Sequence, residues 1–318
     1  MRLVMMGTGT FAEPTFRTLL EAGEQVVGCV TQPERTGVKV RSSTRQTGDG
    51  MANIARAAGL PVLQPESINT PEGVQALREL QPDLLVVAAY GQILKPEVIA
   101  VPTSGAVNVH ASLLPKYRGA SPIAHALLQG ETSTGVTIIR IATGLDSGDM
   151  LAQEAVDIGP DETTGQLEVR LAALGARLNL DVVQRLKLGS LHGTKQDLSL
   201  VTKAPKFTKE HGLIDWNRPA LAVKNHLRAM QPWPTAYTFL HRPGKEPMRL
   251  VVCAATVGDK ALTVGEPHTE AGRLWIGCAA GSLEVLELQP AGKKPMKTAE
   301  FLRGYPVGGG SFLASGAA

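Results

Sequence analysis

Gly105-Ala106-Val107-Asn108-Val109-His110-Ala111-Ser112-Leu113-Leu114-Pro115-Lys116-Tyr117-Arg118-Gly119-Ala120-Ser121-Pro122-Ile123 begins as a strand and breaks into a loop. Small and β-branched residues at Ala106, Val107 and Val109 favour extended backbone. Asn108 and His110 stand two apart, so on a strand both side chains leave the same face of the sheet. Pro115, Gly119 and Pro122 then interrupt regular structure, and the apolar run Ile123–Leu128 starts a helix. An amide beside an imidazole, where a strand gives way to a loop, is a typical site position in an open α/β sheet. Spacing alone leaves two readings open: the pair acts on a ligand, or it satisfies buried backbone groups.

The flanking sequence alternates strands with helices. An apolar strand at Leu3–Met6 leads through Gly7-Thr8-Gly9-Thr10-Phe11-Ala12 into a helix reaching Ala22, and Gln25–Thr31 is a second strand. Helices are expected near Met51–Ala58 and from Pro71, where proline suits a first turn. A short strand at Pro61–Leu63 and a buried one at Leu84–Ala88 precede the central stretch; a strand at Gly135–Ile141 and a long helix over Thr164–Leu188 follow it. This alternation predicts an α/β domain over residues 1–190, with a mostly parallel, Rossmann-like sheet covered on both faces. Residues 32–50 are polar, Gly-rich and basic, and loops of that length inside a compact domain are usually functional or disordered.

Beyond Ser190 the texture changes. Residues 191–210 are polar, with Lys203, Lys206 and Lys209, and read as an interdomain linker. Residues 211–318 hold one amphipathic helix, Ala220–Met230, and short strands at Tyr237–His241, Met248–Ala255, Arg273–Cys278 and Ser282–Leu288. Strands this short, punctuated by Gly and Pro, suggest a small barrel or sandwich. All three tryptophans, Trp216, Trp233 and Trp275, fall in this part.

The 318 residues suffice for two domains, each with its own core. Hydrophobic residues make up 43% and charged ones 19%, ordinary for a soluble protein, and no apolar run approaches the ~20 residues of a membrane helix. Three scattered cysteines without metal-ligand spacing point to a reducing cytoplasm. Residues 206–318 carry 14 Lys/Arg against 9 Asp/Glu, a balance of +5 within a net +3, the sign expected of a part that meets polyphosphate.

Two other chemistries fit poorly. Gly7-x-Gly9-x-x-Ala12 matches a dinucleotide fingerprint formally, but the second strand closes at Thr31-Gln32 without the acidic residue that would bind ribose. There is no Gly-x-x-x-x-Gly-Lys phosphate loop, and the seven histidines show no metal-ligand spacing, so no metal is expected.

Asn108 to Ile123 resembles the signature of the 10-formyltetrahydrofolate-dependent formyltransferases, and Gly144-Leu145-Asp146-Ser147-Gly148-Asp149-Met150-Leu151 resembles that family's second motif. Thr31-Gln32-Pro33, Val87-Ala88-Ala89-Tyr90-Gly91, Asp215-Trp216, Pro232-Trp233-Pro234 and Gln289-Pro290-Ala291-Gly292-Lys293-Lys294 resemble the branch that formylates initiator methionyl-tRNA. The resemblance covers nearly the whole chain. It implies a formyltransferase fold followed by an OB-like barrel, 10-formyltetrahydrofolate as formyl donor, and initiator methionyl-tRNA as partner of a monomeric enzyme. Formyltransferases acting on nucleotide-linked amines, and formyltetrahydrofolate hydrolases, share the N-terminal chemistry.

By the same resemblance Asn108, His110 and Asp146 are catalytic. Asn108 can donate to the oxyanion of a tetrahedral intermediate, and His110 and Asp146 can move the amine proton. Asp149, three residues on, is a decoy carboxylate. Ser112, Leu113, Leu114 and Pro115, with Tyr90 and Gly91, are implied to line the folate pocket. Lys39, Arg41 and Arg45 are implied to wedge against the tRNA acceptor end, with Lys203, Lys206, Lys209, Lys293 and Lys294 tracking phosphates. The family usually carries Pro in the first turn where Gly9 stands here.

Overall fold

The computed structural model describes residues 1–33 and 49–314. In chain order the first elements are β1 (Leu3–Gly7), α1 (Glu13–Glu21), β2 (Val26–Val30), α2 (Met51–Ala57), β3 (Val62–Leu63), α3 (Pro71–Glu79), β4 (Leu84–Ala88), α4 (Pro96–Ile99) and β5 (Ala106–His110). Then follow β6 (Arg118–Gly119), α5 (Pro122–Leu128), β7 (Ser133–Arg140), β8 (Met150–Asp157), α6 (Thr164–Lys187) and β9 (Lys203–Ala204). The remainder comprises α7 (Ala220–Ala229), β10 (Tyr237–Arg242), β11 (Lys245–Gly258), β12 (Pro267–Glu270), β13 (Arg273–Gly277), β14 (Ser282–Pro290), β15 (Met296–Lys297), α8 (Thr298–Gly304) and β16 (Phe312–Ala314).

The chain forms two compact units, one of residues 1–123, 132–159 and 165–206, the other of 124–131, 160–164 and 207–318. In the first, a seven-stranded sheet runs β3-β2-β1-β4-β5-β7-β8. The five strands from β3 to β5 are parallel, whereas β7 pairs antiparallel with β5, and β8 antiparallel with β7. The sheet is therefore mostly parallel with an antiparallel hairpin at one edge. Every residue of β1 and β4 is buried, as expected of central strands covered on both faces. Chain order reverses direction at β1, so β1 and β4 flank the switch point, where an open sheet parts to leave a crevice.

The sequence does not announce β8. Met150-Leu151-Ala152-Gln153-Glu154-Ala155-Val156-Asp157 is an edge strand in which Leu151 alone is buried, so it lacks a strand's usual apolar run. The stretch read as a linker is built into the first unit as far as Lys206. Thr194 exchanges two backbone hydrogen bonds with Met150, each 2.8 Å, and β9 pairs with β6.

The second unit is one antiparallel sheet in the order β12-β13-β14-β11-β10-β16, with β15 on β14. It closes on itself through Gly265. This residue bonds Gly277 O through its N–H at 3.0 Å and accepts Leu313 N–H at 2.8 Å, joining β16 to the start of the sheet. Gly265 has φ +74°, and a Cβ there would sit 2.4 Å from Leu313 O, so glycine is needed at the closure. Inside, Trp216 is buried and donates its indole N–H to Thr238 Oγ1 at 3.0 Å. The result is the OB-like architecture.

Candidate active site

Asn108 and His110 leave the same face at the carboxyl end of β5, the first half-buried and the second 5% exposed. Asp146 arrives from the loop between β7 and β8, its Oδ2 3.6 Å from His110 Nδ1. That separation exceeds a hydrogen bond, so the two groups face one another without being bonded. The other ring nitrogen of His110, Nε2, lies 3.0 Å from the carbonyl oxygen of Tyr117. A carbonyl can only accept, so Nε2 carries a proton and donates it, and Nδ1 is the nitrogen left for exchange. The Asn108 carboxamide has no hydrogen-bond partner among the described residues and is available as a donor.

Asp146 is held in an uncommon conformation, with φ +48°. For a residue other than glycine this region costs on the order of 1–3 kcal/mol. Three hydrogen bonds offset it: Gly119 N–H to Asp146 Oδ2 at 2.8 Å, and Gln196 Nε2 to the main-chain oxygens of Asp146 and Gly148, each 2.8 Å. Gly148 passes so close to β7 that a Cβ would lie 1.7 Å from Arg140 O, which accounts for glycine in this motif. Asp149 is placed elsewhere: its side chain lies against Gly193, whose added Cβ would meet Asp149 Cβ at 2.6 Å.

The loop after β5 is fixed by two polar residues that the sequence did not single out. Thr137 on β7, 0% exposed, donates to Ser112 O at 2.7 Å and accepts Leu114 N–H at 3.1 Å. Gln153 on β8 donates to Leu114 O and to Thr137 Oγ1 at 2.9 and 2.8 Å. Ser112, Leu114 and Pro115 are buried and Leu113 is half-buried, so Leu113 is the apolar side chain available as a wall.

Tyr90 also departs from a simple pocket wall. Its ring is 2% exposed in the core beside Ile68, Leu94 and Val98, and its hydroxyl has no partner among the described residues. Burial pushes that phenol up to about 12. What Tyr90 offers the crevice is main chain: its carbonyl accepts Gln32 Nε2 at 3.1 Å, and the next residue, Gly91, is exposed with φ +83°. At the neighbouring turn Gly9 has φ +77°, which proline cannot adopt, so the turn differs in shape from one carrying proline there.

Of the residues expected at the tRNA, Lys39, Arg41 and Arg45 lie outside the described residues. Lys203 and Lys206 belong to the first unit, Lys209, Lys293 and Lys294 to the second, and all five are exposed. Sequence reasoning missed Thr137, Gln153, Arg118, Gln196 and Thr202. Thr137 left a trace as a polar residue inside the apolar strand Val136–Ile139, and Arg118 as a member of the Asn108–Ile123 signature.

Known proteins share both the sequence and the architecture. Residues 1–183 match the formyl transferase family and residues 206–306 the formyl transferase C-terminal domain. The chain is 43% identical to the methionyl-tRNA formyltransferase of Citrifermentans bemidjiense, and 43% identical to that of Geobacter sulfurreducens, in both cases over 98% of this chain and 96% of the relative. Among solved structures, WlaRD, a sugar 3N-formyltransferase solved with dTDP and 5-N-formyl-THF, shares the fold. It does so at 16% identity and a TM-score of 0.67, over 92% of this chain and 99% of that one. The two units, the order of the motifs and the full-length likeness agree: the chain belongs to the methionyl-tRNA formyltransferase family.

Proposed function

We propose that the protein transfers a formyl group from 10-formyltetrahydrofolate to the α-amine of methionine on initiator tRNA, in the cytoplasm, for translation initiation. The observation that carries this reading is the approach of Asp146 to His110 Nδ1 beside Asn108, whose amide has no partner among the described residues, within a chain so similar over its length to methionyl-tRNA formyltransferases. No helix among the described residues is long and apolar enough to cross a membrane.

The chemistry follows from the atoms available. The neutral amine attacks the formyl carbon; a C–N bond forms and the carbonyl oxygen becomes an oxyanion. Asn108 donates an amide N–H to that oxygen, and such a donor typically contributes ~10²–10³ in rate. The amine proton passes to Asp146, with Nδ1 of His110 alongside as relay, since Nε2 stays bonded to Tyr117 O. Collapse of the intermediate breaks the bond to the donor's N10, which takes the proton and departs as tetrahydrofolate. The residues present suit the donor: an uncommitted amide, a half-buried leucine wall and exposed main chain at Gly91. Nothing in the step calls for a metal.

Incubation with charged initiator tRNA and labelled 10-formyltetrahydrofolate should give formyl-methionine on the tRNA. Transfer of label to a nucleotide-linked amine instead, or release of free formate, would overturn the reading.

A further inference from the structure

We infer that Arg118 and Gln196 form a positioning clamp that aims the carboxylate of Asp146, an inference that rests on Asp146 being the catalytic carboxylate. Gln196 lies between α6 and β9 and is 8% exposed. Its amide is fully engaged. Nε2 spends one N–H on Asp146 O and the other on Gly148 O, while Oε1 accepts Nε and Nη2 of Arg118 at 3.1 and 2.7 Å. Chemistry fixes this orientation, because a flipped amide would set its NH₂ against a guanidinium and its oxygen against two carbonyls.

The clamp grips Asp146 from both ends. Gln196 holds its main-chain oxygen at a residue with φ +48°, and Gly119, next to Arg118, holds its side-chain oxygen. The same chain segment also fixes the partner of His110. Thr202 accepts Tyr117 N–H on its hydroxyl at 2.8 Å and Arg118 N–H on its carbonyl at 2.9 Å, and Tyr117 O is the group that orients His110. Residues 194–204 thus set both members of the proton-transfer pair without contributing an atom to the reaction. Arg118 and Gln196 are positioning residues. Without them the loop is free to relax from its left-handed turn, and a displacement near 1 Å at a reacting group costs about 10²-fold in rate.

Gln196→Glu separates positioning from packing. The new carboxylate has the same shape and keeps Arg118 as a partner, but it turns an acceptor toward two carbonyls and releases the Asp146 loop. We expect kcat to fall roughly 10- to 100-fold in both Gln196→Ala and Gln196→Glu, with KM for donor and tRNA unchanged and with the native circular dichroism spectrum kept at the assay temperature. In an Asp146→Asn background, Gln196→Ala should cost nothing further, because it acts through Asp146. A full additional loss in that background, wild-type kcat in Gln196→Glu, or loss of the native spectrum in both variants at the assay temperature would overturn the clamp alone. Wild-type kcat in Asp146→Asn would overturn the assignment of the carboxylate, and the clamp with it.

Discussion

The main-chain N–H of Gly119 donates to Oδ2 of Asp146 at 2.8 Å, across 27 positions of sequence. The same oxygen faces His110 Nδ1 at 3.6 Å. The two sequence motifs are therefore joined by a hydrogen bond from a glycine of the first to the carboxylate of the second.

Asp146→Asn keeps an acceptor for Gly119 but removes the carboxylate proposed as the base. Turnover should fall about 10²–10⁴-fold, while Asp149→Asn, whose side chain lies against Gly193, should stay within a few-fold of wild type. Steady-state kinetics of both variants, with circular dichroism to verify folding, test this; equal losses would remove the distinction.

Thr137→Val leaves Leu114 N–H and one arm of Gln153 without a partner in a buried place. Stability should drop by about 1–3 kcal/mol, and a folate analogue should bind more weakly because the loop behind Leu113 loosens. Denaturant unfolding and a binding titration measure the two effects separately.

Gly265→Ala sets a Cβ against Leu313 O at a position with positive φ. The barrel closure should weaken by more than about 1 kcal/mol, and tryptophan fluorescence should report it, since all three tryptophans fall in residues 207–318. An unchanged melting curve would show that the closure bond contributes nothing.

Burial, aided by the charge of Arg218, lowers the titration of His226, whose Nε2–H donates to His211 O at 2.7 Å. The folded value lies below the unfolded 6.5, so the unfolded chain binds more protons as pH falls through this range. The contribution to stability is present above 6.5 and is lost progressively below it. Melting temperatures should decline from pH 6.5 downward, and His226→Gln should flatten that decline.

Lys293 and Lys294 sit exposed in the turn between β14 and β15. If they bind phosphate, replacing both by Ala should reduce the slope of log affinity for tRNA against log salt by roughly 0.7–0.9 for each phosphate no longer neutralised. Folate binding should be unaffected, and an unchanged slope would exclude both lysines from the interface.

What could be read from the sequence followed local periodicity. β5 and α6 are legible because Ala106–His110 and Thr164–Lys187 carry the patterns of a buried strand and a long helix. β8 is not, since an edge strand with alternate residues exposed lacks that signal. The site residues Asn108 and His110 could be placed on one face from their spacing, but spacing could not separate Asp146 from Asp149. That depends on which carboxylate the loop turns toward β5. Gln196 was invisible for a different reason: a polar residue in a polar stretch has no pattern to betray burial, and only distant partners draw it inside. The burial of the Tyr90 ring in the core was likewise not legible, because a tyrosine in a motif carries no pattern that separates core from pocket.

The placement of residues 194–206 on the first unit bears on how such proteins recombine. The two family segments end at 183 and begin at 206, so the stretch carrying Gln196, Thr202 and Ala204 belongs to neither. A chimera joined at the first of these boundaries would take its C-terminal module, together with a foreign strap, from another parent. That strap would have to meet Arg118, Tyr117 and the Asp146 loop of a different ancestor. Crossovers just after Lys206 leave these contacts within one lineage, so the heritable module of catalysis is longer than the segment that sequence similarity delimits.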